Sequence, residues 1–212
     1  MNMMKRCIFV GVMLLIGMTS CTKDNYIDTG ISKARFDGNM LEYMEAHSYD
    51  WDSTALMIRH AGADMVALFE GKDPQHAEIT FLGITNHSIR RYLLMNGMKS
   101  VKELDAEWCR SILLRHVFDK KLYRKDIPEG KPGDFGTIGE GGVTVETLAG
   151  SKVWLYVVIE ENSGIKENAA HPISLKFVGI GGDNIEVASG DIEPDNGLVH
   201  ALEYKFTLGD EE

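Results

Sequence analysis

The chain has 212 residues, a formal net charge of −10, and 44% hydrophobic and 25% charged residues. This length and composition are ordinary for a globular domain that buries a sizeable core. The acidic balance disfavours nucleic acid and anionic lipid surfaces as partners, because both carry negative charge. We therefore expect one folded domain with extra segments, and we expect no nucleic acid partner.

Residues 1–20 have the pattern of a signal peptide. Lys5 and Arg6 precede an apolar run, residues 7–18, that is too short to span a bilayer and is followed by small residues. Residues 14–21 resemble a bacterial lipobox, in which the Cys is diacylated and the signal is cut before it, although Met18 stands where Leu is usual. We predict lipidation of Cys21; the alternative is ordinary signal cleavage with Cys21 unmodified.

A polar segment without helical or strand periodicity follows the cysteine and suits a tether, which we place at residues 21–34. Residues 22–25 resemble the Lys-acidic tag that brings lipoproteins of Bacteroides-like bacteria to the outer face of the outer membrane. Two or more acyl chains hold a soluble domain stably, since each buried methylene contributes about 0.8 kcal/mol. We expect a lipid-anchored protein of the outer membrane, exposed at the cell surface.

Cysteine usage agrees with this prediction. If Cys7 leaves with the signal and Cys21 carries lipid, Cys109 is the remaining thiol, and an oxidising compartment has no pair to join. Cys109 lies beside Trp108 in an apolar helical pattern. We interpret it as a small buried hydrophobe rather than a nucleophile.

Three helical patterns open the folded part of the chain. Asp37 is placed to cap the first, Ser53 the second, and Asp64 a short third helix that ends before Gly71. Their apolar stripes should face the core.

A buried strand followed by a helix is expected in residues 79–96. The strand is apolar, and Thr85 or Asn86 could accept hydrogen bonds from the first free amides of the helix, which should end at Asn96-Gly97. Ser100 should then cap a short turn, and Asp105 should start another helix.

A basic cluster follows that helix, formed by Lys120, Lys121, Arg124 and Lys125. In an acidic protein such a cluster is usually a solvated face offset by local acids, and the alternative is a specific anion site.

The second half of the chain reads as β-structure. Residues 129–142 are dense in Gly and Pro and predict a long loop. Residues 143–147 and 152–159 predict a hairpin, and residues 173–178 and 185–187 predict two further strands. The Asn196-Gly197 pair predicts a turn that feeds a central strand, because an alternating run begins at Leu198.

The pattern D-I-x-x-x-N-G-x-V-H, carried by Asp191, Ile192, Asn196, Gly197 and His200, resembles the second signature of the fasciclin (FAS1) family. In that family an Asn-Gly turn opens the last core strand and a His follows three residues later.

Three shorter segments resemble other FAS1 signatures with departures that indicate a divergent member. Ile84 replaces a Pro of the first signature, and Arg115 takes the position of Tyr in the central Tyr-His pair. The residues that match in kind are Thr80, Phe81 and Thr85 in the first signature, His116 in the central Tyr-His pair, and Thr147, Leu148 and Gly150 in T-L-x-G.

The resemblance implies an α+β fold: a single FAS1-like domain, residues 35–208, with N-terminal helices packed on an antiparallel β-wedge or sandwich. Residues 209–212 would form an acidic tail.

Histidine is the residue type abundant enough to raise an enzyme or metal hypothesis. The sequence contains no H-E-x-x-H, C-x-x-C, G-x-S-x-G or phosphate-cradling glycine motif. In the resembling fold His116 and His200 would lie in buried strands, where a neutral imidazole donates to one carbonyl and accepts at its other nitrogen. We expect no catalytic residue, no metal site and no cofactor.

The acidic turn allows one sharper hypothesis. Asp191, Glu193 and Asp195 alternate ahead of Gly197, which loosely resembles a Ca²⁺ loop. The glycine falls one place late, and Leu202 stands where a bidentate Glu is required. We favour a capped turn whose Asp side chains bond local amides.

Asp191 and Ile192 are the candidate binding residues. In some animal FAS1 proteins an Asp-Ile pair at this place is tied to integrin-mediated adhesion, a partner that a bacterial lipoprotein gives no reason to expect. By strand alternation Ile192 is instead a core residue, which leaves Asp191 as the candidate for recognition.

The resemblance implies adhesion or interaction at the cell surface, with an extracellular glycan or protein as partner. The alternative is a non-catalytic accessory or scaffold subunit of an outer-membrane nutrient-uptake complex. A large exposed apolar patch would favour the scaffold, and a polar groove with exposed aromatic side chains would favour direct glycan binding.

Overall fold

A computed structural model describes residues 35–134, 137–158, 172–180 and 183–209. The chain divides into two units, Met1–Lys33 and Ala34–Glu212. The predicted signal peptide, Cys21, the tether and residues 210–212 of the predicted tail lie outside the described residues. Among the residues that are described, no helix has both the length and the apolar character needed to cross a membrane.

The described helices lie in the first half of the chain and the strands mostly in the second. The α-helices are α1 Met40–Ala46, α2 Ser48–His60, α3 Ala63–Phe69, α4 Asn86–Met95 and α5 Ala106–Arg115. Short 3₁₀ helices span Val101–Glu103 and Arg124–Asp126. The strands are β1 Ile79–Gly83, β2 Val117–Phe118, β3 Gly130–Lys131, β4 Glu140–Gly141, β5 Val143–Glu146, β6 Lys152–Val157, β7 Ile173–Phe177, β8 Ile185–Ile192 and β9 Gly197–Leu202.

The predicted α+β class is confirmed. Within the described residues, seven strands form one sheet in the order β2-β1-β9-β8-β7-β6-β5. The sheet is mixed rather than purely antiparallel, because β1 and β9 run parallel, with Phe81 opposite Val199. Parallel neighbours need a long crossover, and the whole chain between these two strands supplies it.

The sheet curls until its two edge strands approach each other. The backbone amide of Leu148, in the turn after β5, donates to the carbonyl oxygen of Val117 in β2 at 2.9 Å. The amide of Ala149 donates to Leu114 at 3.2 Å. The predicted wedge or sandwich is therefore one nearly closed sheet, in which hydrogen bonds protect the edges.

β9 runs through the interior of the sheet between β1 and β8, and all six of its residues are buried. The Asn196 side chain fixes its start: Oδ1 accepts from the Met40 amide at 2.7 Å, and Nδ2 donates to the Phe69 carbonyl oxygen at 3.0 Å. A Cβ on Gly197 would clash with the carbonyl oxygen of Ile79. The Asn-Gly pair thus joins the strand to α1 and α3.

α2 is the central helix, because it packs against α1, α3, α4 and α5. Trp51 on α2 is buried, and its ring lies so close to Gly83 at the end of β1 that a Cβ there would overlap it. The helices therefore cover the β1–β9 end of the sheet.

Three predicted helix caps are wrong. Asn39, not Asp37, caps α1 in a reciprocal capping box with Glu42. α2 begins at Ser48, so Ser53 lies within the helix. Asp64 lies in the first turn of α3, where it binds Arg110 at 2.7 Å, and Gly62 occupies the N-cap.

The cap of α4 also differs from the prediction. Thr85 occupies the N-cap, but its hydroxyl has no hydrogen-bond partner among the described residues. Asn86 turns away to bind α2. By contrast, Ser100 accepts from the Lys102 amide at 3.3 Å, and Asp105 accepts from the Trp108 amide at 2.8 Å, so these two predictions are confirmed.

Two β-elements are longer or more ordered than predicted. The expected loop 129–142 contains the short antiparallel pair β3 and β4. β8 extends to Ile192 rather than ending near Val187, with register shifts opposite β9. Asp191 takes a φ of +54° within this irregular stretch.

Candidate functional site

Asp191, the candidate recognition residue, is engaged within the domain. Its carboxylate oxygen Oδ1 accepts from the Arg124 amide at 2.9 Å, and its own amide donates to Nδ1 of His200 at 3.1 Å. Ile192 is half-buried against the core and lies opposite Val199. This pair positions the end of β8.

The acidic side chains of the turn separate to different partners. Glu193 accepts from the Tyr123 hydroxyl at 2.8 Å and lies 3.7 Å from the Lys121 ammonium, while Asp195 lies 3.3 Å from Arg35. In the described ranges no group of three or more His, Cys, Asp or Glu side chains is placed to hold a metal ion. The predicted bonds to local amides are therefore wrong: the recorded partners of these carboxylates among the described residues lie far away along the chain.

One member of the basic cluster, Lys121, is offset by acids, as the solvated-face interpretation predicts for the cluster. Lys121 lies 3.2 Å from Glu78 and 3.7 Å from Glu193. Lys125 lies over the Tyr123 ring, 5.2 Å from its centroid.

The two histidines of the family pattern are both fully buried. His200 in β9 donates from Nε2 to the Leu122 carbonyl oxygen at 2.8 Å and accepts at Nδ1 from the Asp191 amide. This arrangement matches the predicted neutral imidazole. His116 is at the C-cap of α5, not in a strand. Its Nδ1 donates to the Ile112 carbonyl oxygen at 2.9 Å, while its Nε2 has no partner in the described part of the chain.

Burial lowers the pKa of both imidazoles, and it lowers the pKa of His116 to about 4. Both rings are therefore neutral at pH 7. Cys109 is likewise fully buried, and burial raises the pKa of its thiol to about 11. A protonated, inaccessible thiol is a poor nucleophile.

The remaining motif residues build the fold. The Thr80 hydroxyl donates to the Lys120 carbonyl oxygen at 2.7 Å and accepts from the Leu122 amide at 2.9 Å. Phe81 packs edge-on against Phe69, with ring centroids 5.0 Å apart. Thr147 is buried and accepts at its carbonyl from Gly150, whose φ of +76° shapes the hairpin turn before Leu148 binds β2.

Three surface cavities have similar volumes, about 470, 440 and 500 Å³. In the first, the Glu203 carboxylate accepts from the Glu186 amide and lies 3.9 Å from Lys205. In the third, the Asp191 carboxylate accepts a hydrogen bond from the Arg124 backbone amide. The second cavity, between α2 and α4, differs because it presents exposed aromatic and cationic side chains.

We call this second cavity the α2–α4 groove. The described residues that line it are Tyr49, Ser53, Asn86, His87, Arg90, Leu93 and Lys99. Its volume of about 440 Å³ falls within the roughly 300–1,000 Å³ that is usual for small-ligand pockets.

Asn86 makes the floor of the groove by joining the two helices at their N-terminal ends. Its Oδ1 accepts from the Ser53 amide at 2.7 Å, and its Nδ2 donates to the carbonyl oxygens of Ser48 and Tyr49 at 3.0 and 2.9 Å. These bonds fix the backbone beneath the Tyr49 side chain, which is 84% exposed. An aromatic ring is therefore presented to solvent from a rigid base.

A second aromatic surface stands beside the groove. The rings of His87 and Tyr204 lie 4.5 Å apart between centroids, and Tyr204 is 55% exposed. Arg91 holds the turn that carries Tyr204: its guanidinium donates to the carbonyl oxygens of Tyr204 and Lys205, the latter at 2.7 Å, and to the Thr207 hydroxyl at 3.1 Å. Arg91 therefore positions this second ring.

Comparison with known proteins adds little to this geometry. No family model matches the chain, and no curated protein matches it. Among solved structures, the chain is similar to a FAS1 domain pair from the insect cell adhesion molecule fasciclin I, with 16% identity and a TM-score of 0.47. The match covers 80% of this chain and 46% of that chain, so this chain spans less than half of the matched one.

The groove residues are not among the site residues predicted from the sequence. Tyr49, His87 and Tyr204 are far apart along the chain, and no motif links them. His87 stood out solely as one of seven histidines. A single sequence carries no signal for their proximity, because the bonds of Asn86 and Arg91 create it.

Proposed function

We propose that the protein is a non-catalytic binding module of the cell surface, and that the α2–α4 groove binds an extracellular saccharide. The observation that carries the proposal is the exposure of Tyr49 and Tyr204 beside a polar groove on a rigid base. Tyrosine side chains supply large contact area to a ligand at low loss of conformational entropy.

The chemistry of the groove suits a sugar. A sugar ring has one face of C–H groups, which packs on aromatic rings, and a rim of hydroxyls, which need hydrogen-bond partners. The groove offers rings from Tyr49 and from the His87–Tyr204 pair, and polar groups from the Ser53 hydroxyl and the cationic side chains of Arg90 and Lys99. A site with a few polar groups beside aromatic surface is typical of small-ligand recognition.

The same proposal includes the location predicted from the N-terminus. Lipidation at Cys21 and a tether to residue 34 would present the domain outside the outer membrane, where saccharides are accessible. Digestion of intact cells with a protease tests this part: loss of the domain from whole cells is expected, and full protection would contradict surface exposure.

Binding is tested with the full-length protein in detergent on arrays of glycans and matrix proteins. Tyr49→Ala and Tyr204→Ala should each weaken saccharide binding by tenfold or more, because truncating a central aromatic contact usually costs more than about 1.4 kcal/mol. Ile138→Ala, an exposed apolar residue outside the groove, is the control. Absence of saccharide binding, or equal binding by all variants, would overturn the proposal.

The accessory-subunit alternative has a separate observation in its favour. Leu94 and Met95, next to each other on α4, are 67% and 75% exposed. A partner subunit could cover them. If Leu94→Ser and Met95→Ser abolished co-purification with an outer-membrane complex while the groove variants did not, the accessory role would replace saccharide binding.

A further inference from the structure

We propose that the saccharide carries a carboxylate, as a uronic acid does, and that Arg90 binds this carboxylate in the α2–α4 groove. The inference rests on the proposed saccharide function and specifies its substrate class. Three observations support it. The described lining of the groove contains no acidic residue, and Arg90 has no recorded partner among the described residues. The other described arginines all have partners.

The groove is an acid-free site in an acidic protein. The chain has 32 Asp and Glu residues against 22 Lys and Arg residues, yet the described lining of the groove contains Arg90 and Lys99 and neither Asp nor Glu. A pair of cationic side chains without an acid in the described lining, in a protein of net charge −10, attracts a negative ligand to this groove.

Arg90 is exposed on α4, and within the described ranges no carboxylate, carbonyl or ring is recorded as its partner. The other described arginines are bonded. Arg35 pairs with Asp195, Arg59 with Glu45 and Arg110 with Asp64, Arg91 binds the turn at Tyr204, and Arg115 and Arg124 also have partners. Arg90 therefore has its five donors available for a ligand.

Lys99 contributes less than Arg90. The Glu103 carboxylate accepts from the Lys99 backbone amide at 3.1 Å, which places a negative charge beside that end of the groove. A guanidinium also matches a carboxylate with two parallel hydrogen bonds, whereas an ammonium acts as a point charge. We therefore assign the carboxylate contact to Arg90.

The ligand should carry a single carboxylate, on the sugar unit that lies in the groove, rather than several sulfates. One guanidinium and one partly offset ammonium neutralise a single negative charge, and a highly sulfated chain would be repelled by the surrounding net charge of −10. Tyr49, and His87 with the Tyr204 ring beside it, would then pack against the C–H faces of the sugar.

The experiment compares a galactose tetrasaccharide in which one unit is galacturonic acid with the neutral galactose tetrasaccharide of the same linkage, by calorimetry on the full-length protein in detergent. The wild-type protein should bind the acidic probe at least tenfold more tightly than the neutral probe. Arg90→Gln should reduce this preference to less than threefold, and the ratio of the two affinities is the readout because a general weakening of the groove lowers both affinities alike. Raising salt from 50 to 500 mM should reduce the preference in the wild-type protein.

Two variants serve as controls. Arg59→Gln removes an exposed arginine outside the groove and should leave the preference intact. Arg90→Lys keeps the charge but loses the planar fork, and should retain part of the preference. Thermal unfolding of each variant checks that the fold is preserved.

The outcomes separate this inference from the proposed function. Equal wild-type affinity for both tetrasaccharides would overturn the carboxylate assignment and leave saccharide binding in place. Tighter, Arg90-dependent binding of a sulfated tetrasaccharide, or of an acidic peptide, would also overturn it. If neither tetrasaccharide nor any array glycan binds, both proposals fail.

Discussion

His200 on β9 hydrogen-bonds through Nε2 to the carbonyl oxygen of Leu122, 2.8 Å away and 78 residues earlier in the chain. On its other side the ring accepts at Nδ1 from the amide of Asp191. One buried imidazole thereby joins the central strand to the segment after β2 and to the end of β8. The exposed groove on the helices lies elsewhere, so this His contributes to stability.

His200→Ala should destabilise the domain by about 1–3 kcal/mol, because it leaves buried backbone groups without partners. Urea unfolding measures the change. His87→Ala, at an exposed position, should stay within about 0.5 kcal/mol of the wild type. Unchanged unfolding of His200→Ala would contradict its role in the core.

Acid should destabilise the protein through His116. Burial lowers the pKa of this residue to about 4 in the folded state, whereas an unfolded His titrates near about 6.5. Between these values the unfolded chain binds a proton that the folded chain does not. The contribution of neutral His116 to the free energy of unfolding is therefore fully present above about pH 6.5. It is lost as pH falls towards 4, by about 3 kcal/mol in total.

Unfolding free energies measured from pH 7.5 to 4 test this expectation. His116→Asn can still donate to the Ile112 carbonyl oxygen but does not titrate, so its stability should depend less on pH. The lowered pKa of His200 adds an effect of the same sign in both proteins, and the difference between them isolates His116. Parallel curves would contradict the prediction.

Two threonines of the first family signature should respond in opposite ways to the same substitution. Thr80→Val removes a hydroxyl that bonds Lys120 and Leu122, and should cost about 1–3 kcal/mol. Thr85→Val removes a buried hydroxyl that has no partner among the described residues, and should be neutral or stabilising. Chemical denaturation of the two variants measures both changes in the free energy of unfolding. Equal destabilisation by the two substitutions would show that the Thr85 hydroxyl is bonded.

Gly97 and Gly197 both have a positive φ but differ in the space around them, so the same substitution at each tests the effect of packing. A Cβ at Gly197 would clash with the Ile79 carbonyl oxygen, so Gly197→Ala should cost more than about 4 kcal/mol or prevent folding. Gly97, with a φ of +69°, has open space around its Cβ position, and Gly97→Ala should cost about 1–2 kcal/mol. Similar melting temperatures for the two variants would refute the packing argument.

Arg91→Ala should loosen the turn that carries Tyr204, because it removes the donors to the carbonyl oxygens of that turn. Amide hydrogen exchange in residues 203–207 should become faster by tenfold or more, while exchange in β9 should stay unchanged. Arg90→Ala, the neighbouring arginine, is the control and should leave exchange in that turn as it is.

The strong local signals in the sequence were sufficient for much of the fold. The Asn196-Gly197 turn, the hairpin around Gly150 and the helix start at Asp105 all appear where they were predicted. These signals work because turn geometry and capping depend on a few adjacent residues. The burial of His200, which the resemblance of its segment to a family signature implied, is confirmed.

The sequence did not show which of several neighbouring polar residues would cap a helix. Asn39, two positions after Asp37, caps α1, and Asn86 links α4 to α2 instead of capping its own helix. Each of these side chains could have bonded locally. Which partner it reaches depends on the distance to another helix, and a local pattern does not contain that distance.

The sequence by itself thus determined that the chain is an acidic α+β domain with a buried strand after an Asn-Gly turn. Tertiary structure alone decided that β1 and β9 are parallel and that Tyr49, Arg90 and Tyr204 lie around or beside one groove. The physical reason is that hydrophobic periodicity fixes which face of an element is buried, whereas the packing of elements distant in sequence decides which exposed side chains become neighbours.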